Sequence, residues 1–417
     1  MKDTKKVVAM VVDNSGGYVS LAIRLAREYK KIYYCNPAWQ HSYPHPNLSS
    51  VGQGIPEIEV VDNLFDVYEE IDFWIFPDVY FGPFQEFLRE QGEIVWGSGY
   101  LEALELERDV LKSQLERLGL PVNKWWRIEG MSALRKFLQK QKDVWVKVNK
   151  WRGLVESFYV MDYDHANPIL DDMEFRKGID PEKIIFTVET PINDALEIGY
   201  DGFCVDGKFP EAWLSGIERK DRGYFGEWKK YNDLSPLLTV FNEKMANIYK
   251  TNKYRGFLSL ESRLQGEKAF LIDFTARCPN PPGAIYLEMI KNLGAVMWAG
   301  GNGEVIPAEP VARYGAEIGF DSEWCIEHIC PVYIPQAIVP FVKLKKHRRE
   351  NGIDLIVPVI NTENDAGSII GLGDTPEKAI KQAKDNAAKV MIIKPQMEPD
   401  ALDEAYADYQ KFTKGGK

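Results

Sequence analysis

Glu261-Ser262-Arg263-Leu264, and beyond it Leu271-Ile272-Asp273-Phe274-Thr275-Ala276-Arg277, is the stretch that decides how this chain reads. Two apolar runs, Phe257 to Leu264 and Ala269 to Phe274, flank Gln265-Gly266-Glu267-Lys268, whose glycine and polar residues predict a tight turn between antiparallel strands. Along the second run Asp273, Thr275 and Arg277 alternate onto one polar face. Glu261 lies on the partner strand, so two carboxylates, a hydroxyl and a guanidinium gather over one patch of sheet. Hard oxygen donors at that density suit Mg²⁺ or the similar Mn²⁺, with substrate phosphates completing the shell. A solvated sheet face would carry similar residues, so the hairpin needs its context.

Upstream, Val144-Trp145-Val146-Lys147-Val148 is a β-rich run with a lysine inside it. Such a lysine either snorkels at an edge or meets an anion. Lys112 sits in a helical pattern, Glu107 to Leu118, with Val110, Leu111, Leu115 and Leu118 on its apolar positions and Gly119-Leu120-Pro121 as its stop. Downstream, the strand pattern Ile184 to Thr190 ends in Glu189-Thr190-Pro191, and the next strand, Glu197 to Gly207, opens on an acid. In chain order these are a helix lysine, a strand lysine, a strand-end acid, an acid opening a strand, and the carboxylate hairpin.

That order resembles the ATP-grasp superfamily, from about Glu105 to Met289. The resemblance implies that Lys112 and Lys147 hold nucleotide phosphates. It places the adenine-reading hinge at Val188 to Pro191, with Glu189 and Thr190, and the ribose-binding acid at Glu197. Glu261, Asp273 and Thr275 become the Mg²⁺ ligands, and Arg277 faces the transferred phosphate. The chain departs from the family twice. Thr275 stands where an asparagine is usual, which leaves the metal number, one or two, open. The loop after the second lysine is Asn149-Lys150-Trp151-Arg152-Gly153-Leu154-Val155-Glu156-Ser157, with one glycine and two cations where bare backbone amides are usual. Lys150 and Arg152 are then expected to close over the phosphates as catalytic cations. The implied activity is an ATP-dependent carboxylate–amine ligase that works through an acyl phosphate. A nucleotide-binding relative without turnover is the alternative.

The N-terminal part alternates strand and helix. The strand patterns are Val7 to Val12, Ile32 to Cys35, Glu57 to Val61, Phe73 to Phe76 and Ile94 to Trp96, with a helical run from Tyr18 to Tyr29. Alternation of this kind predicts a parallel α/β sheet. Ligands of open α/β sheets gather beyond the carboxyl ends of the strands, so Ser15, Gly16, Gly17, Asp78 and Tyr80 are candidate substrate contacts. The turn Asn14-Ser15-Gly16-Gly17 reads equally as an anion site at a helix N-terminus or as a plain tight turn, and it lacks a dinucleotide fingerprint. The layout is similar to the glycinamide ribonucleotide synthetases, the phosphoribosylamine–glycine ligases of purine synthesis, and their reaction is a further alternative. Ser368 to Ala379 matches their closing strand and helix, with Thr375 as N-cap and Pro376 as first helical residue. The expected fold is thus α/β, becoming α+β in the ligase core. Its units are a parallel-sheet domain over 1–103, an ATP-grasp core over 104–308 with a lid subdomain near 121–190, and a small α+β domain over 309–417.

Composition narrows the partners. The chain has 417 residues, is 45% hydrophobic and carries a formal charge of −11. That balance disfavours a nucleic-acid surface; the resemblance implies small carboxylate and amine substrates as partners. The sequence leaves monomer or dimer open. The five scattered cysteines suit a reducing cytoplasm, and Cys325-x-x-His328-x-Cys330 lacks a nearby fourth metal ligand. No signal peptide or membrane-spanning stretch is expected: the run near Ala284 to Ala299 is interrupted by Glu288 and Lys291.

Overall fold

A computed structural model of the chain describes residues 3–37, 50–150, 157–176, 180–193, 196–220, 222–358 and 365–415. β1 (Val8–Val12), α1 (Val19–Leu25), β2 (Lys31–Cys35), β3 (Glu59–Val60), β4 (Phe73–Ile75), α2 (Gly82–Glu90) and β5 (Val95–Trp96) form a parallel sheet in the order β3-β2-β1-β4-β5. β1 is buried along its whole length, as a strand covered on both faces must be. The order reverses at β1, so the turns after β1 and β4 lie side by side at the carboxyl edge. The first helix is shorter than its pattern suggests: it stops at Leu25, and the chain folds back until the Lys30 amide donates to the Val7 carbonyl at 2.9 Å.

α3 (Ala103–Leu106) and α4 (Arg108–Arg117) lead into a small unit of β6 (Trp125–Glu129), α5 (Met131–Leu138), β7 (Val144–Val148), β8 (Ser157–Val160), α6 (Tyr163–Arg176) and β9 (Ile185–Glu189). Its antiparallel sheet runs β6-β9-β7-β8. It has a hydrophobic core of its own, built on Leu134, Val146, Leu170 and Phe186. Next come β10 (Leu196–Val205), β11 (Ala212–Arg219), β12 (Gly223–Lys230), α7 (Pro236–Thr251), β13 (Arg255–Gln265) and β14 (Lys268–Thr275). β10, β13 and β14 make a three-stranded sheet, and the expected hairpin is its β13–β14 edge.

α8 (Gly283–Met289) and α9 (Leu293–Gly301) precede β15 (Tyr314–Ser322), β16 (Cys330–Tyr333), β17 (Val342–Leu344), β18 (His347–Glu350), β19 (Ile353–Ile356), β20 (Asp365–Gly373), α10 (Pro376–Ala387), β21 (Met391–Ile392), β22 (Pro395–Met397) and α11 (Ala401–Gly415). The largest sheet runs β11-β12-β15-β20-β17, with β22 on β15, so it draws strands from both sides of residue 308. β18-β19-β16-β21 form a separate small sheet. The Thr375 hydroxyl accepts from the Lys378 amide at 3.3 Å and caps α10. The five cysteines are buried and unpaired, and His328 packs edge-on against Trp324. No helix among the described residues is long and apolar enough to cross a membrane.

Trp96 joins the parallel sheet to the core. Fully buried, it lies 5.2 Å from the Phe257 ring and 5.7 Å from the Phe203 ring, centroid to centroid, and the next residue, Gly97, bridges Arg255. Trp96→Ala should therefore cost about 3–5 kcal/mol. Denaturant melts should show the loss in one shared transition; a loss confined to an N-terminal transition would show that the sheet folds apart from the core.

Candidate active site

The hairpin's polar face depends on one irregularity. Ser259 lies opposite Thr275 and Glu261 opposite Asp273, after which Ser262 faces Leu271, so Ile272 is the extra residue of a β-bulge. Burial records its effect: Ala269 and Leu271 point into the core before it, Phe274 and Ala276 after it. The slip turns Asp273 and Thr275 onto the open face shared with Ser259 and Glu261. Regular alternation would have sent Asp273 inward with Leu271. Arg277 lies past the end of β14 and turns elsewhere.

The bulge carbonyl also has a partner. Lys147 Nζ on β7 donates to the Ile272 oxygen at 3.0 Å and pairs with Glu189 Oε1 at 2.8 Å. Lys112 Nζ on α4 pairs with Glu189 Oε2 at 2.6 Å and donates to Asn123 Oδ1 at 2.8 Å. Asn123 in turn donates to the Thr190 carbonyl at 2.6 Å, and the Thr190 amide donates to Lys124 at 2.9 Å. Glu189 sits at the end of β9, between Trp125 of β6 and Trp145 of β7. Burial alone would raise its carboxyl; Lys147 and then Lys112 outweigh that and hold it far below the usual carboxylate range. Burial lowers Lys112, with Glu189 opposing and Lys147 adding to the fall. Both ammoniums favour the ionised carboxylate. Two ammoniums against one carboxylate leave one positive charge in surplus, a set that fits phosphate oxygens.

The carboxylates form the opposite pole. The Glu261 carboxyl is pushed well above its usual range by burial, then by the carboxylates of Glu197 and Glu218, a hydrogen-bonding contact with Glu197, and Asp273. Glu197 is held in turn by the Arg263 fork at 2.8 and 2.9 Å. Asp273 is ion-paired with Arg108 of α4. Among the described residues no three His, Cys, Asp or Glu side chains converge as a metal cage. A cation here would be held by Glu261 and Asp273 with phosphate oxygens completing its shell, a donor set that fits Mg²⁺.

Lys150 takes a left-handed conformation (φ 58°), its amide donates to Leu106 at 2.6 Å, and its exposed ammonium lies 3.3 Å from Glu107. Arg152 and the rest of the 151–156 loop lie outside the described residues. Arg277 pairs with Glu105 at 2.9 Å and lies 3.4 Å from the Tyr18 hydroxyl and 3.8 Å from Asp78. It therefore faces the turns after β1 and β4 instead of joining Glu261 and Asp273. Burial disfavours its charge, and Glu105, Tyr18 and Asp78 more than restore it. In those turns Asp13 accepts the Ser15, Gly16 and Tyr18 amides. Tyr80 holds φ 81°, and the buried Glu102 carboxyl accepts from the amides of Gly82, Tyr80 and Phe81. Burial pushes Glu102 up to about 7.

No protein-family model and no curated protein sequence matches the chain. Solved structures do resemble it. A phosphoribosylamine–glycine ligase of Thermotoga maritima superposes with TM-score 0.69 at 16% identity, over 94% of this chain and 100% of that one. The biotin carboxylase domain of 2-oxoglutarate carboxylase from Hydrogenobacter thermophilus, solved with MgADP, ADP and bicarbonate, gives 0.65 at 11%, over 98% and 95%. N5-carboxyaminoimidazole ribonucleotide synthetase from Thermus thermophilus gives 0.59 at 14%, over 92% and 97%. All three are ATP-grasp proteins. The chain has the ATP-grasp fold. At these identities the likeness establishes architecture, and the site's own residues have to carry the chemistry.

Sequence reading missed Arg108, Asn123, Glu105, Glu102 and Asp13. Arg108 and Glu105 precede the helix lysine in a charged run that reads as an ordinary solvated face. Asp13 looks like the end of a strand. Only the fold reveals what each one touches.

Glu189→Gln keeps the side chain's shape but leaves two ammoniums facing each other, so it should cost about 3–5 kcal/mol at neutral pH. Because the native carboxyl is depressed, its contribution is complete above the ordinary Glu range, about 4.3, and fades as pH falls below it. The gap between wild type and variant should narrow in acid, and tripolyphosphate should restore part of the variant's loss in thermal melts. Equal melting temperatures at pH 7 would remove Glu189 from this role.

Proposed function

We propose that this chain is an ATP-dependent ligase that joins a carboxylate to an amine and releases ADP and phosphate. The observation that carries the reading is the meeting of two poles: the Lys112–Glu189–Lys147 group, and the Glu261/Asp273 hairpin that Lys147 touches through the Ile272 carbonyl. A carboxylate is a poor electrophile without a leaving group. Transfer of the γ-phosphoryl group to its oxygen makes an acyl phosphate, and the amine nitrogen then displaces phosphate to form the C–N bond. Such chemistry asks the protein chiefly for positioning and charge neutralisation.

Lys112 and Lys147 would bind phosphate oxygens, with Glu189 holding both ammoniums in place. Glu261 and Asp273 would hold Mg²⁺, which supplies charge neutralisation between the phosphates when bound. Thr275, on the same open face, would complete the polar lining. Glu197, fixed by Arg263, would take the ribose hydroxyls, and the backbone from Val188 to Pro191 the adenine. Arg277, held by Glu105 and facing Asp78, would orient the carboxylate to be activated. Lys150 and Arg152 would close over the phosphates and keep water from the acyl phosphate. MgADP in the Hydrogenobacter structure supports the nucleotide and the metal.

The Arg108–Asp273 ion pair favours a second reading, a nucleotide-binding protein without turnover, because Arg108 already neutralises one expected metal ligand. ADP release separates the two. A panel of amines and carboxylates with Mg²⁺ and ATP should release ADP only when a matching pair is present; ATP binding without ADP release across the panel supports the second reading.

Glu261→Gln tests the metal assignment. It takes one carboxyl out of a crowded group of carboxylates, so the fold should be as stable as wild type or more stable. ADP release should fall by about a hundredfold or more. Wild-type turnover at saturating Mg²⁺ would sink the assignment.

A further inference from the structure

The strand-to-helix turn after β1 has the glycine-rich form that takes anions when its amides are free. Here the amides of residues 15–18 are already used. Asp13 Oδ1 accepts from the Ser15 amide (3.1 Å), the Ser15 hydroxyl (3.1 Å) and the Gly16 amide (2.9 Å). Its Oδ2 accepts from the Tyr18 amide and the Tyr34 hydroxyl, both at 2.7 Å. The Gly17 amide donates to Ser15 Oγ at 3.2 Å. Asp13 is fully buried, so the carboxylate is built into the turn.

The groups left at the same sheet edge have a different character. Asn36, at the end of β2, is 8% exposed and stands beside the Tyr34 hydroxyl, and among the described residues neither atom of its amide makes a well-formed hydrogen bond. Asn14 donates to the Val79 carbonyl at 3.3 Å, while its own buried oxygen has no partner. Asp78, after β4, adds a carboxylate that Arg277 approaches only to 3.8 Å. Buried amides normally find partners. A phosphate entering here would meet two carboxylates, with the amides of residues 15–18 already bonded.

We propose that Asp13 is a specificity-determining residue: it fills the anion-binding turn with the protein's own carboxylate, so the substrate lying over this edge carries no phosphate there. This rests on the ligase reading above and separates the chain from ligases whose amine substrate is a phosphorylated sugar.

Hydrogen–deuterium exchange of the full chain, with ADP saturating the nucleotide site, tests it without turnover. Ribose 5-phosphate at millimolar concentration should leave exchange over residues 13–18 unchanged in the wild type. In Asp13→Ala, whose turn amides are released, it should slow that exchange about tenfold. Slowing in the wild type overturns the inference, and so does a folded Asp13→Ala that gives no response. If the variant does not fold, the wild-type arm decides alone. Failure of the ligase reading shows separately, as absence of ADP release with every amine offered.

Discussion

The site hangs on one buried carboxylate between two ammoniums. Glu189 ends β9, Lys112 projects from α4 and Lys147 from β7, so a single ion triad pins the small sheet to the helix that leads into it. Lys147 then reaches the Ile272 carbonyl and ties the same group to the β13–β14 hairpin. Buried ion pairs return little net stability, because desolvation consumes most of the Coulombic gain. What they fix is geometry. Three elements far apart in sequence can satisfy these charges in only one arrangement, and that arrangement sets the two lysines against the carboxylate pair.

Much of the architecture was legible because it rests on local signals. The turn at Gly266, the cap at Thr375 and the alternation along residues 7–96 are short-range chemistry, and they end up as a hairpin, a capped helix and a parallel sheet. The pairing of β12 with β15 was not legible, since nothing local in either strand tells which partner it will find. The bulge at Ile272 was hidden for a related reason. Pattern reading assigns Asp273 and Thr275 to one face by simple alternation, whereas the face they occupy depends on a slip against β13. The residues stood out by type; their orientation did not.

Lys147 shows the same division. A lysine inside an apolar strand demands an anion, and the sequence could state the demand without naming the partner. The partner is Glu189 of the adjacent strand, a residue the sequence placed nearby for another reason. Arg277 is the converse case. Its guanidinium was expected over the metal carboxylates, but β14 ends two residues earlier and the side chain swings toward Glu105 and Tyr18.

The charges fall into two zones with Arg108 at their boundary. On one side lie the ammonium groups with their surplus positive charge; on the other the carboxylates of Glu197, Glu261 and Asp273. Arg108 comes from the same helix as Lys112 yet pairs across the boundary with Asp273, and its amide donates to Asn149 Oδ1 at 3.2 Å. Asn149 directly precedes Lys150 and also accepts from Thr187 at 3.2 Å, next to the strand end that carries Glu189. A cation that takes Asp273 must compete with Arg108, and Arg108 opens a helix whose first amide is held by Asn149. Arg108 therefore carries two ties at once, one to the hairpin carboxylate and one to Asn149.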